Sequence, residues 1–311
     1  MLPLGVGREN FRHNTLTAYE GFFLERSMYT SGTSCIADQL KEVMGSGLTN
    51  KPREIGLTAV LDKGLGLRAM YDLVELGGSY IDIVKFGWGT SVLYPLQTLM
   101  DKMTLLRAAG IAVCPGGTLL EIAWANARTE AFFAFAEEAG FTTIEVSDGT
   151  YNVPRRVKLA LIAHAARLGF RVVSEVGKKN PEDDVRLTSA QRVALVRQEL
   201  EAGAWKVIIE GRESGTVGIY DARGAVQGEL ADALVAALGV ISLVFEAPQK
   251  SQQVWLIQRY GTQVNFGNIP PEEVLSLATL RCGLRSDTAM PALPEVRQEG
   301  EWTAPLRLRA I

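Results

Sequence analysis

Histidine is nearly absent. The chain of 311 residues holds two, His13 and His164. His164 falls inside a helical pattern, Leu161 to Ala166, away from any strand end. A histidine-based catalytic triad or a histidine-rich metal site is therefore not expected, and acid–base work falls to Lys, Asp, Glu or Tyr. Cysteine is equally scarce. Cys35, Cys114 and Cys282 lie far apart, odd in number and without a C-x-x-C pair. A reducing cytoplasm is the simple inference. No apolar run approaches the roughly 20 residues that span a bilayer. The N-terminus also lacks the basic-then-apolar pattern of a signal peptide. No membrane partner is expected. Neither charge dominates: 32 Lys+Arg stand against 35 Asp+Glu, a net charge of −3. That leaves no basic field for nucleic acid.

What is present is an ordinary globular composition, 47% hydrophobic and 22% charged, arranged in a repeating rhythm. Apolar β-branched runs that read as strands fall at 57–61, 81–86, 111–114, 143–147, 170–176, 206–210, 241–246 and 263–266. Amphipathic helical patterns lie between them, for example 119–139, 153–168 and 189–202, each stopped by a glycine: Gly140, Gly169 and Gly203. Glycine is the usual residue just past a helix end. Strands alternating with helices imply parallel pairing through right-handed crossovers. Eight such units in about 230 residues match a single-domain (β/α)8 TIM barrel. A doubly wound open sheet is second, because no G-x-G-x-x-G follows the first strand. The barrel is placed at 51–290. An N-terminal extension (1–50), with one short helix at 35–44, precedes it, and a tail (291–311) follows.

The stretch Phe170 to Lys179, FRVVSEVGKK, sets the chemistry. Period-2 alternation puts Val173 and Glu175 on one face and Ser174 and Val176 on the other. A carboxylate near the end of a buried strand needs a cation or a metal beside it. The design recurs at most strand ends: Asp62 and Lys63, Lys85, Glu145 and Asp148, Glu210 and Arg212, and Glu246. In a barrel these ends form the active site. Glu145, Glu175 and Glu210 close three successive strands. Either each pairs with a nearby Lys or Arg, or together they hold a hard divalent cation such as Mg2+. Lys85, Lys178 and Arg212 are either proton donors and anion ligands or partners in structural ion pairs. Gly116, Gly117, Gly267 and Asn268 can present backbone N–H groups to an anion. Arg281 and Arg285 either neutralise a phosphate or cap a helix. The combination suits metal-assisted enolate chemistry on a small phosphorylated anion.

At these strand ends the sequence resembles the phosphosulfolactate synthase family. The matching stretches are Lys51–Thr58 with Asp62–Gly64, Val84–Thr90, Pro115–Thr118 with Glu121, and Ile144–Thr150. Further on they are Ser174–Lys179, Ile209–Gly215, Phe245–Pro248 and Asn265–Ile269. The resemblance implies a carbon–sulfur bond-forming lyase. It would add sulfite to phosphoenolpyruvate with Mg2+, giving (2R)-phospho-3-sulfolactate for coenzyme M or sulfolactate biosynthesis. It further implies Glu145, Glu175 and Glu210 as metal ligands and Lys178 as general acid, with Lys85 as second candidate. Lys63 and Arg212 would hold sulfite or carboxylate. Separately, part of the barrel exterior is expected to be an interface, in a homo-oligomer. The same resemblance extends to plant heat-stress proteins, so a non-catalytic interaction barrel and a different enolate enzyme are the competing readings.

Overall fold

The computed structural model describes residues 50–289. The expected N-terminal extension with its short helix, and the C-terminal tail, lie outside the described residues. The rest alternates as expected: β1 (Thr58–Asp62), β2 (Ile83–Phe86), β3 (Ala112–Cys114), β4 (Thr143–Val146), β5 (Arg171–Val176), β6 (Lys206–Ile209), β7 (Leu243–Glu246) and β8 (Asn265–Ile269). The helices are α1 (Leu67–Gly77), α2 (Leu96–Ala108), α3 (Gly117–Ala125), α4 (Thr129–Ala139), α5 (Arg155–Arg167), α6 (Pro181–Asp184), α7 (Ser189–Glu201), α8 (Gly228–Leu238), α9 (Lys250–Tyr260) and α10 (Val274–Arg281). None among the described residues is long and apolar enough to cross a membrane.

All eight strands pair in parallel, in the order β3-β2-β1-β8-β7-β6-β5-β4. The barrel is nearly closed. At the seam the Thr142 N–H donates to the Val113 carbonyl at 3.1 Å, and the Val113 N–H donates to Thr142 Oγ1 at 2.9 Å. A side-chain hydroxyl thus takes the acceptor's place that a strand carbonyl would fill. Outward residues such as Val60, Val84, Phe86, Ile144, Val172, Val207 and Phe245 meet the helices in one continuous core. Inward Val173, Ile208 and Val244 form a smaller apolar layer inside the barrel. This is the alternation read from the sequence, with Glu175 on the inward side of Val173.

Two sequence readings need correction. The helix expected over 119–139 is two helices. Ala127 takes a left-handed φ of 54°, and the Asn126 side chain donates to the Ile122 carbonyl, closing α3. The segment Gly267-Asn268 is not a loop after the eighth strand. It lies within β8, where Glu246 pairs with Gly267. Thr58 pairs with Phe266 but Val60 with Ile269, so β8 carries one extra residue there. Asn268, with φ of 54°, marks this bulge.

The floor of the barrel accounts for Arg281. Its buried guanidinium donates to the carbonyls of Val264 (2.8 Å), Leu57 (3.0 Å) and Thr262. Burial pushes its pKa down to about 9. It ties β1 to the approach of β8, far from any anion site. Asp62 is also structural. Its carboxylate accepts the N–H groups of Gly64 and Leu65, each at 2.7 Å, and faces outward to the Lys102 ammonium at 2.7 Å. Both side chains are wholly buried, and the ammonium lies 4.2 Å from the Tyr94 ring centroid. Removing one member leaves an uncompensated buried charge. Lys102→Met is expected to cost about 3–5 kcal/mol in urea unfolding. A loss below about 1 kcal/mol, the range of a surface pair, would contradict this reading.

Candidate active site

The inward residues at the upper strand ends enclose an open-mouthed cleft of about 370 Å3. Leu61 forms part of its floor. Lys85, Glu145, Glu175, Glu210 and Glu246 rise from β2, β4, β5, the end of β6 and β7. Gly116, Gly117, Thr118, Lys179, Arg212 and Asn268 close its sides. Five carboxylates (Glu213 is the fifth) face three cations, so the lining carries net negative charge before any ligand enters.

Lys85 divides this charge. Its ammonium lies 3.1 Å from Glu145 Oε2 and 3.3 Å from Glu246 Oε1. Burial works against its charge, but Glu145, Glu246 and Glu175 outweigh burial and hold its pKa well above the ordinary lysine value. Each flanking carboxylate is also gripped by backbone. Glu145 Oε1 accepts the Gly117 N–H at 2.9 Å. Glu246 Oε2 accepts the N–H groups of Gly211 (3.0 Å) and Arg212 (2.9 Å). Gly117 has no substitute here, because a Cβ would stand 2.3 Å from Ser147 Oγ and 2.9 Å from Glu145 Oε1. Glu121, expected from its motif, works behind this wall. It accepts the Thr150 and Tyr151 N–H groups and the Ser147 hydroxyl.

Glu175 and Glu210 form the second group. Burial first, then the Glu175 and Glu246 charges, push the Glu210 carboxyl well above its ordinary value, against the pull of Lys179. Glu175 Oε1 and Glu210 Oε2 are buried without a hydrogen-bond partner, as is Asn268 Oδ1. Lys179 Nζ lies 3.8 Å from Glu175 Oε1. Glu175, with smaller help from Glu210 and Glu145, raises its pKa despite burial.

The expected residues therefore separate. Glu145, Glu175, Glu210, Lys85, Arg212, Gly116, Gly117 and Asn268 share the cleft. Lys178 does not line it: its ammonium is bound to Asp148 Oδ2 (2.5 Å) and the Asp148 carbonyl (2.9 Å). The lysine in the lining is Lys179, which sequence reasoning passed over. Continuing the alternation 173, 175, 177, 179 past the strand would have found it. Gly177 permits that continuation, with φ of 138° and no room for a Cβ, which would lie 2.3 Å from Glu210 Cβ. Lys63 is exposed at the rim, its ammonium 5.5 Å from the Trp88 ring centroid. Gly267 lines the barrel interior beneath the cleft. Arg285 is remote, donating to Ser276 Oγ at 2.7 Å.

Trp88 is a further lining residue that the sequence did not single out. The described non-glycine residues with positive φ are Trp88, Ala127, Arg212 and Asn268. Three of these four line the cleft, which is where backbone strain is kept when it serves function.

Among the described residues no cluster of three or more His, Cys, Asp or Glu groups is arranged to hold a metal ion. The donor chemistry still suits a hard cation at Glu175 and Glu210. Both are oxygen ligands, both have an unpartnered buried oxygen, and Mg2+ commonly takes one or two carboxylates and completes its shell with water and substrate phosphate. Glu145 is otherwise committed, to Lys85 and the Gly117 N–H.

The model of the (2R)-phospho-3-sulfolactate synthase family matches residues 46–287. A phosphosulfolactate synthase from Methanothermobacter thermautotrophicus is 47% identical over 241 residues, covering 77% of this chain and 93% of that protein. One from Bacillus subtilis is 40% identical over 241 residues, covering 77% and 94%. The Arabidopsis thaliana protein Heat-Stress-Associated 32 is 23% identical over 265 residues, covering 74% and 87%.

The elevated Glu210 carboxyl has a consequence for stability. Below the ordinary value of 4.5 both folded and unfolded chains hold its proton. As pH rises above that value the unfolded chain releases the proton while the folded chain keeps it, so stability falls. Glu210→Gln escapes this loss. In EDTA, its melting temperature is expected to exceed that of the unsubstituted protein near pH 8, and the two to converge near pH 4. A Gln variant destabilised equally at every pH would contradict the assignment.

Proposed function

Because the chain belongs to the (2R)-phospho-3-sulfolactate synthase family, we propose that it joins sulfite to phosphoenolpyruvate in this cleft. The observation that carries the reading is the pairing of a carboxylate-rich wall with Lys85 and Lys179 around one cleft, their ammonium groups held charged by the surrounding carboxylates. A cleft with more carboxylates than cations repels a phosphate ester and a sulfite dianion. A divalent cation reverses this, and Mg2+ at Glu175 and Glu210 would supply that neutralisation and stabilise enolate charge on the substrate carboxylate.

The chain's own groups do the rest. Lys85 and Arg212 hold anionic oxygens, Lys85 already fixed between Glu145 and Glu246. The sulfite sulfur lone pair forms the C–S bond at the methylene carbon, and the double-bond electrons move toward C2 and the carboxylate. Lys179 then gives its proton to C2 on the face it occupies and recovers one from solvent, while the phosphate stays on the substrate. Delivery from one fixed wall is what a single configuration at C2 requires. Trp88, Arg212 and Asn268 set the lining's backbone with left-handed φ values. In the alternative of a non-catalytic barrel, these charges have no reason to converge on one cavity.

The test is product formation from phosphoenolpyruvate and sulfite, followed by phosphorus NMR with Mg2+ and with EDTA. Phosphosulfolactate is expected with the ion and not with the chelator. Lys179→Met is expected to lower kcat about 10²–10⁴-fold, the usual range for a lost proton donor. No product from folded, metal-supplied protein would overturn the proposal.

A further inference from the structure

Resting on the reading of Lys179 as proton donor, we propose that Asp148, with Lys158 behind it, is the positioning device that aims Lys179 into the cleft. Neither residue lines that cleft, so neither touches substrate. Asp148 lies on the loop after β4. Its Oδ1 accepts from Lys158 Nζ at 2.6 Å, and its Oδ2 and carbonyl both accept from Lys178 Nζ. Lys158, on α5, is 1% exposed. Its ammonium also donates to the Glu175 carbonyl at 2.5 Å and pairs with Glu199 Oε1 of α7 at 2.9 Å. One buried cation therefore joins the backbone under Glu175, the β4 loop and two helices.

The Lys178 backbone is pinned as well. Its N–H donates to Asp184 Oδ1 at 2.8 Å, and the other Asp184 oxygen is held by Arg192 at 2.6 Å. With Lys178 drawn back to Asp148, Lys179 faces forward. The next residue of the same loop leaves no spare room beside it. A Cβ at Gly149 would stand 3.1 Å from Lys179 Cγ and Cε and 3.1 Å from Glu175 Oε1. The β4 loop is thus a wall against the lysine stem, and the Asp148 carboxylate sets where that wall stands. Stability alone explains such a network poorly, since burying paired charges often gains nothing over apolar packing of the same volume.

The test compares Asp148→Asn, which keeps the side-chain shape and leaves Lys158 paired with Glu199, with Gly149→Ala, which leaves the Asp148–Lys158 pair in place and sets a methyl against the Lys179 stem and Glu175 Oε1. Each is expected to lower kcat about 10–100-fold, the scale of a misplacement near 1 Å, with KM for phosphoenolpyruvate within about threefold. In a Lys179→Met background the same substitutions are expected to change kcat less than about threefold, because their effect passes through the missing ammonium. Equal losses in both backgrounds would overturn the proposal, as would full activity of both variants. A second arm does not depend on turnover. Trace acetylation by acetic anhydride, read at each lysine by mass spectrometry, is expected to rise several-fold at Lys179 in Asp148→Asn and stay constant at exposed Lys250. Unchanged labelling of Lys179 would also overturn it. If the unsubstituted protein makes no product, the proposed reaction fails, and the labelling arm still decides the positioning role.

Discussion

The Lys85 ammonium between Glu145 and Glu246 is the interaction on which the upper barrel depends. Three strands, β2, β4 and β7, bring these charges to one point inside the nearly closed barrel. Buried carboxylates that close would repel one another and open the barrel mouth. With Lys85 between them, two of the four innermost carboxylates share one cation, and their remaining oxygens grip Gly117, Gly211 and Arg212 through backbone N–H groups. The same carboxylates thus serve charge balance and loop geometry together.

Glu175 and Glu210 are left as an incompletely compensated pair, and the structure answers with a raised Glu210 pKa. The site's backbone strain follows the same logic. Arg212 takes a left-handed conformation while its N–H serves both Glu210 Oε1 (2.8 Å) and Glu246 Oε2 (2.9 Å), so two hydrogen bonds hold the strain. Behind the wall, Asp148 and Asp184 hold Lys178 back by its ammonium and its backbone N–H, and Lys158 braces Asp148.

The barrel and most of its mouth were legible in the sequence, because period-2 alternation and strand-end charges are local signals. Glu175 inward of Val173, and Glu145, Glu210 and Lys85 in one cleft, follow from those signals alone. What was illegible was non-local. Glu246 lies 161 positions from the lysine it binds, and no spacing rule announces that pairing. Lys178 and Lys179 are chemically identical neighbours. The choice between them rests on Asp148, contributed by another loop 30 positions away. Asn268 looked like a turn because Gly-Asn-Ile-Pro reads as one, whereas the barrel absorbs it as a strand bulge. Arg285 looked like a phosphate ligand only because it follows the eighth strand, and α10 carries it away from the mouth.

The central claim is that a divalent cation takes the place of the proton on Glu210, with Glu175 as its second ligand. Calorimetric titration of Mg2+ into EDTA-stripped protein, repeated in buffers of different ionisation enthalpy near neutral pH, tests it most directly. Metal binding to a protonated ligand releases protons, so the account predicts saturable uptake with release of up to about one proton per ion, both lost in Glu175→Gln. No saturable uptake, or uptake without proton release, would contradict it.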